Sequence, residues 1–202
     1  MIIGITGRKR SGKDTVAAYL RDRYEYVRYQ MASPLKKAVC ALYGWDSDVV
    51  EDGPEKEAID PEYGISPRQA MQFMGFELNK ELSSRFPDYE KQTGIYLYVK
   101  RMEQFADAHP SINIVIPDIR MPYEVAAIHA RGGKVIRVTR DRSANPDEHA
   151  TEVHVDHMDV DAELFNTSSI EELYDAVDIF MNNVRETFIS AKARETQEST
   201  TE

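Results

Sequence analysis

The chain opens on an apolar run without a polar break, Ile2 to Thr6, ended by Gly7. A short β-branched run of this kind predicts a strand buried on both faces of a parallel sheet. From Lys13 the period lengthens, and Val16, Ala17, Leu20 and Tyr24 recur at helical spacing. Tyr26 to Met31 predicts a second strand. Ser33-Pro34 opens a helix, with proline in the first turn where its missing N–H costs nothing, and Leu35, Ala38, Val39 and Leu42 form its buried face. From about Asp46 to Gly64 the chain is acidic, rich in Pro and Gly, and without period, which reads as an excursion from the core. Ser66-Pro67 repeats the helix start, with Ala70, Met71, Met74 and Leu78 as the apolar face, and a further helix covers about Gly94 to Ala108.

The second half alternates more regularly. Ile112 to Ile116 is a strand ending at Pro117-Asp118, and Pro122 to Arg131 a helix closed by Gly132-Gly133. Lys134 to Thr139 is the next strand, Glu163 to Asn166 a last short one, and a Ser-capped helix runs from Ile170 to about Ile189. Residues 191–202 are polar and read as a flexible tail. Strands alternating with helices predict an α/β fold: a doubly wound parallel sheet of about five strands, whose ligands sit beyond the carboxyl ends of the strands.

Composition narrows the function. The chain has 202 residues, enough for one such domain, and a net charge of -10. An acidic whole argues against a nucleic-acid polymer or a membrane surface as partner, so any phosphorylated ligand must be held by a local cluster of cations. No apolar run reaches the length of a membrane span, nothing resembles a signal segment, and the lone Cys40 excludes an internal disulfide; a cytoplasmic protein is expected.

The strongest motif is Gly7-Arg8-Lys9-Arg10-Ser11-Gly12-Lys13-Asp14-Thr15, with G-x-x-x-x-G-K spacing between a predicted strand and a predicted helix. Glycines at both ends let successive backbone N–H groups converge on phosphate oxygens, the helix adds its positive end, and the Lys13 ammonium can reach the β- and γ-phosphates. Asp14 stands where a magnesium-binding hydroxyl usually follows the lysine. Its carboxylate can hold Mg2+ or can simply stabilise the helix start, with Thr15 free for phosphate.

Phosphoryl transfer needs in-line positioning and cations on the transferring oxygens. Arg68, near a helix start, suits a bidentate grip on an acceptor phosphate. Asp118 ends a strand, where it can orient the metal or accept a hydrogen bond from an acceptor hydroxyl, and Arg120 follows it with Glu124 four residues on. Arg140 and Arg142 start a polar stretch, about 140–160, that reads as a mobile lid over the triphosphate. His149, His154 and His157 fit no zinc spacing.

With these motifs in hand, the chain resembles the bacteriophage deoxynucleoside monophosphate kinases. The resemblance runs from the phosphate loop through Tyr29-Gln30-Met31-Ala32-Ser33-Pro34-Leu35-Lys36, Arg68 with Gln72 and Gly75, and Asp118-Ile119-Arg120 with Glu124, to His149-Ala150-Thr151-Glu152 and Asn166. It implies a P-loop kinase core over residues 1–190, with a helical monophosphate-binding region at about 44–110, a lid at about 140–160, and a capacity to form homodimers. It implies transfer of the ATP γ-phosphoryl group to a deoxynucleoside monophosphate (dNMP) with Mg2+, in a host cytoplasm if the chain is phage-encoded.

By position, Arg10, Ser11, Gly12, Lys13, Asp14, Thr15 and Arg140 would contact ATP. Lys9, Lys36, Arg68, Gln72, Gly75, Phe76, Tyr98, Asp118, Arg120 and Glu124 would line the dNMP site. Lys13, Arg68, Asp118, Arg120 and Arg140 would serve catalysis, and Asp14 and Asp118 the metal. Phe76 and Tyr98 depart from the family pattern at the base pocket, as does Thr167-Ser168 on the adenine side. Two other readings stay open at this level: a P-loop kinase for a phosphomevalonate or dephospho-coenzyme A type of acceptor, and a non-catalytic regulatory nucleotide switch.

Overall fold

The computed structural model describes residues 1–51, 53–89, 97–140 and 155–198, with side chains of the last helix as far as residue 187. The chain divides into two compact units, Met1–Tyr29 with Ile112–Glu202, and Gln30–Ser111.

The first unit is built on a five-stranded sheet. Its strands are β1 (Ile2–Thr6), β2 (Val27–Arg28), β3 (Ile114–Ile116), β4 (Lys134–Thr139) and β5 (Ala162–Phe165), in the order β2-β3-β1-β4-β5. Every pairing is parallel, with Ile3 opposite Val115 on one side and Lys134 on the other. Parallel neighbours need crossover helices, and these cover both faces. Ile3 and Ile5 of β1 join a core with Val16, Ala17 and Leu20 of α1 (Lys13–Tyr24) and Leu173, Val177, Phe180 and Met181 of the last helix (Ile170–Glu198). Gly4 faces the other way, and a Cβ there would lie 2.7 Å from Ile128 in the helix Pro122–Ala130. That arrangement is the expected doubly wound sheet.

The second unit is helical: α2 (Ser33–Tyr43), α3 (Pro67–Gln72), a π turn (Phe73–Glu77), α4 (Leu78–Arg85) and α5 (Leu97–Ala108). The helices Pro122–Ala130 and Ile170–Glu198 of the first unit are therefore α6 and α7. Val39, Val50 and Ala70 form a small core with Leu35, Cys40, Tyr43, Trp45, Ile65, Met71 and Met74 around it. The acidic excursion is thus packed. Tyr43 stacks on Trp45 at 4.5 Å, Tyr63 meets both edge-on, and the Trp45 indole N–H donates to Asp60 at 2.7 Å.

Several expectations need correction. The second strand is only Val27–Arg28, because Tyr26 turns inward to be buried while its flanks are occupied by the α1 cap and the start of the second unit. In α2 Val39 is buried and Leu35 and Tyr43 are half-buried beside it, whereas Ala38 is exposed and Leu42 is 65% exposed. Leu78 faces solvent and Asn79 is buried instead, since the π turn inserts extra backbone and rotates the following helix. The last helix runs on to Glu198, past the expected end near Ile189. Among the described residues no helix is long and apolar enough to cross a membrane.

Candidate active site

In a parallel sheet all carboxyl ends lie on one edge, so the segments after β1, β3, β4 and β5 gather there. After β1 comes the glycine loop. Gly7 and Gly12 have φ of 144° and 110°, conformations that a side chain strains against. Space forbids one at Gly7, where a Cβ would lie 2.3 Å from the Val138 carbonyl oxygen; at Gly12 it would lie 2.6 Å from Asn166 Nδ2 and displace that side chain. Arg10 also adopts a positive φ, 63°. The turn closes with Ser11 N–H on the Arg8 carbonyl at 3.1 Å, and α1 begins as Val16 N–H donates to Gly12 at 3.0 Å.

Lys13 curls back so that its ammonium donates to the Arg8 carbonyl at 2.7 Å. The result is a tight loop with a cation over it and an α-helix N-terminus at its base, an arrangement that binds anions. The Ser11 hydroxyl is buried in this loop without a hydrogen-bond partner among the described residues.

Neighbouring elements hold the loop from outside. Asn166, directly after β5, donates its side-chain amide to the Ser11 carbonyl at 2.8 Å, and its backbone N–H to the Thr139 carbonyl at 2.7 Å. Arg8 pairs with Asp156, and this bond, opposed by burial, holds the Asp156 carboxyl below its usual range. The turn carrying Asp156 is itself anchored by Arg137, which donates to the carbonyls of Val155 at 3.0 Å and Met158 at 2.7 Å. Asp14, exposed in the first turn of α1, forms an ion pair with Arg28 of β2.

After β3, Asp118 is half-buried and Arg120 exposed. Glu124 engages the backbone of this segment. Its Oε2 accepts the backbone N–H groups of Arg120 at 2.7 Å and Met121 at 3.0 Å, capping α6. Burial pushes the Glu124 carboxyl up to about 7 against the pull of those two donors. After β4, Arg140 is exposed. Arg142, His149, Glu152 and His154 lie outside the described residues, as does most of the segment expected to form a lid.

In the second unit, Lys36 pairs with Glu51 at 2.6 Å. Arg68 is the second residue of α3, whose start is fixed by a reciprocal Ser66–Gln69 capping box. Its Nε donates to both oxygens of Glu57, at 2.6 and 2.7 Å, and its backbone N–H to the Lys56 carbonyl at 3.0 Å. Both cations are therefore oriented by the acidic excursion. Gly75 lies in the π turn, where a Cβ would stand 3.0 Å from Leu35. Gln72 and Phe76 are exposed, and Tyr98 is half-buried, with burial pushing its hydroxyl up.

The structure thus brings Lys9 to Thr15 together in the loop and the first turn of α1, and gives Asp118, Arg120 and Arg140 places at the same sheet edge. Sequence reasoning passed over Arg28, Glu51 and Glu57, and the pairing of Arg8 with Asp156; these ion pairs hold or flank the expected residues. Nothing in local spacing marks such partners, because each pair other than those of the excursion joins distant segments.

Comparison with known proteins agrees with this geometry. The family model for deoxynucleotide monophosphate kinase matches residues 1–81 and 55–177. A provisionally named deoxynucleotide monophosphate kinase of Acanthamoeba polyphaga mimivirus is 31% identical over 181 residues, covering 88% of this chain and 94% of that protein. The deoxynucleotide monophosphate kinase of Enterobacteria phage T4 is 24% identical, covering 87% of this chain and 96% of its own. That of Escherichia phage RB69 is also 24% identical, over 88% and 98%. The chain belongs to the deoxynucleotide monophosphate kinase family.

Proposed function

We propose that this protein transfers the γ-phosphoryl group of ATP to a 2′-deoxynucleoside 5′-monophosphate, giving the diphosphate and ADP. The observation that carries this reading is the loop Gly7–Thr15, with Lys13 over it, in a chain of this family. The loop N–H groups and Lys13 hold the β- and γ-phosphates, and the buried Ser11 hydroxyl supplies a further contact. Arg10 and Arg140 add positive charge on the donor side. Lys9, Lys36, Arg68, Gln72, Gly75, Phe76, Tyr98, Asp118 and Arg120 serve the acceptor.

Arg68 grips the acceptor phosphate through its guanidinium, and Asp118 positions the acceptor by accepting a hydrogen bond. The acceptor phosphate is already ionised at neutral pH, so no strong base is required. Glu124 acts on the backbone of Arg120, holding the start of α6 in place. The region 44–110 binds the monophosphate.

Among the described residues no group of three or more potential ligands is preassembled for a metal. Mg2+ at nucleotide sites takes one or two carboxylates and completes its shell with phosphates and water, so Asp14 and Asp118 would suit it. Held by these carboxylates, Mg2+ would supply neutralisation of the charge on the transferring phosphoryl group. Arg28 must release Asp14 for that carboxylate to serve.

The test is an assay of purified protein with Mg2+-ATP and each common dNMP and NMP, following ADP and diphosphate together. Stoichiometric ADP and dNDP with at least one dNMP is expected. ADP that appears at the same rate with and without every acceptor would sink the reading.

A further inference from the structure

We infer that Asn166 is a positioning residue for the phosphate loop, acting through the Ser11–Gly12 peptide. The inference rests on the reading of Gly7–Thr15 as the ATP phosphate site. Three observations carry it. The Asn166 side-chain amide donates to the Ser11 carbonyl at 2.8 Å. The same nitrogen lies 2.6 Å from the place a Cβ would take on Gly12, so the amide rests directly against the loop. Its own backbone is fixed, because Asn166 N–H donates to the Thr139 carbonyl at 2.7 Å, at the end of β4.

A trans peptide is planar, and its C=O and N–H point in opposite directions. Drawing the Ser11 carbonyl toward Asn166 therefore aims the Gly12 N–H away from Asn166, toward an arriving phosphate. Without that tether the unit would turn easily, since Gly12 has no side chain to resist rotation and sits at φ 110°. Glycine makes the loop possible, and the same freedom calls for a pin from outside. Only a donor can serve, because the group it meets is a carbonyl oxygen. Asn166 thus adjusts donor-nucleotide affinity from the position after β5, through the loop peptide.

The experiment compares the wild type with Asn166→Asp and Asn166→Ala. Asp keeps the shape and loses the N–H; Ala loses both. ADP affinity would be measured by calorimetry from pH 5 to pH 8, and KM for ATP and for a dNMP by steady-state assay. At pH 8 the expected result is roughly three- to tenfold weaker ADP binding for N166A and a larger loss for N166D, which sets a carboxylate against a carbonyl. The KM for ATP should rise while that for the dNMP stays within about twofold. As pH falls, N166D should recover relative to N166A, because its protonated carboxyl can again donate to Ser11.

N166D binding ADP as tightly as wild type at pH 8 would overturn the inference. So would parallel pH profiles for the two variants. If N166A does not fold, N166D against wild type across the same pH range decides alone. Wild-type protein that binds no ADP would overturn the reading of the loop itself, and this inference with it.

Discussion

Lys13 and Glu124 show how differently two site residues can be read at the scale of single side chains. The Lys13 ammonium rests on the Arg8 carbonyl, a neutral acceptor that a phosphate oxygen can outcompete. Lys13→Ala should therefore leave the far-ultraviolet spectrum unchanged and lower kcat by roughly 100- to 1000-fold. A variant with near-normal kcat would remove Lys13 from the machinery. Glu124 is buried, and its carboxyl rises from the ordinary 4.5 to about 7. Between those values the folded protein holds a proton that the unfolded chain has lost, so stability falls as pH rises through that window. The effect amounts to about 3 kcal/mol. Since both N–H donors meet one oxygen, Glu124→Gln keeps the cap and removes the titration. Urea denaturation at pH 5 and pH 8 should show E124Q gaining on wild type at the higher pH; an unchanged difference would contradict the assignment. Arg120 and Glu124 stand at the spacing of a helical side-chain pair, whereas the capping role depends on the backbone path after β3. Such a path has no signature in the sequence.

At the scale of elements, caps were legible and faces less so. Ser66-Pro67 announced α3, and the structure adds the return bond from Gln69. Arg68 is the second residue of this helix, so the cap and the guanidinium move together. Ser66→Ala should cost about 1 kcal/mol and raise KM for the dNMP while leaving KM for ATP alone. Equal changes in both constants would argue against a local role. The apolar face of α4 was misjudged because regular helical spacing was carried through Phe73–Glu77, where the backbone forms a π turn. In α2, Ala38 and Leu42 fit the spacing but face solvent; the small core around Val39 is filled from the other side by Trp45 and Ile65. The acidic excursion had no period to read because aromatic stacking and ion pairs hold it, interactions without sequence regularity.

For the molecule as a whole, the sheet was the most legible feature, since β1 and β4 are continuous apolar or alternating runs with clear glycine ends. β2 was the least, as two residues joined to a neighbour are defined by that neighbour. β1 lies at the middle of the sheet, and Gly4 is where α6 presses closest, with Ile128, Ile119 and Val135 all within 3.3 Å of an added Cβ. Gly4→Ala should cost about 1–3 kcal/mol by overpacking, with ADP affinity unchanged in the folded protein. A neutral result would mean that α6 moves more freely than its buried side chains suggest.

The strand polarity has one more consequence, for bioconjugation. Every expected functional segment of the first unit leaves a strand at its carboxyl end, so the turns that enter the strands are open to labelling chemistry. Ser111 is exposed in the turn ahead of β3, and the only cysteine, Cys40, is half-buried with its thiol pushed up by burial. Ser111→Cys therefore offers a more reactive thiol for a dye or a surface linker, on a protein whose turnover could then be watched one molecule at a time.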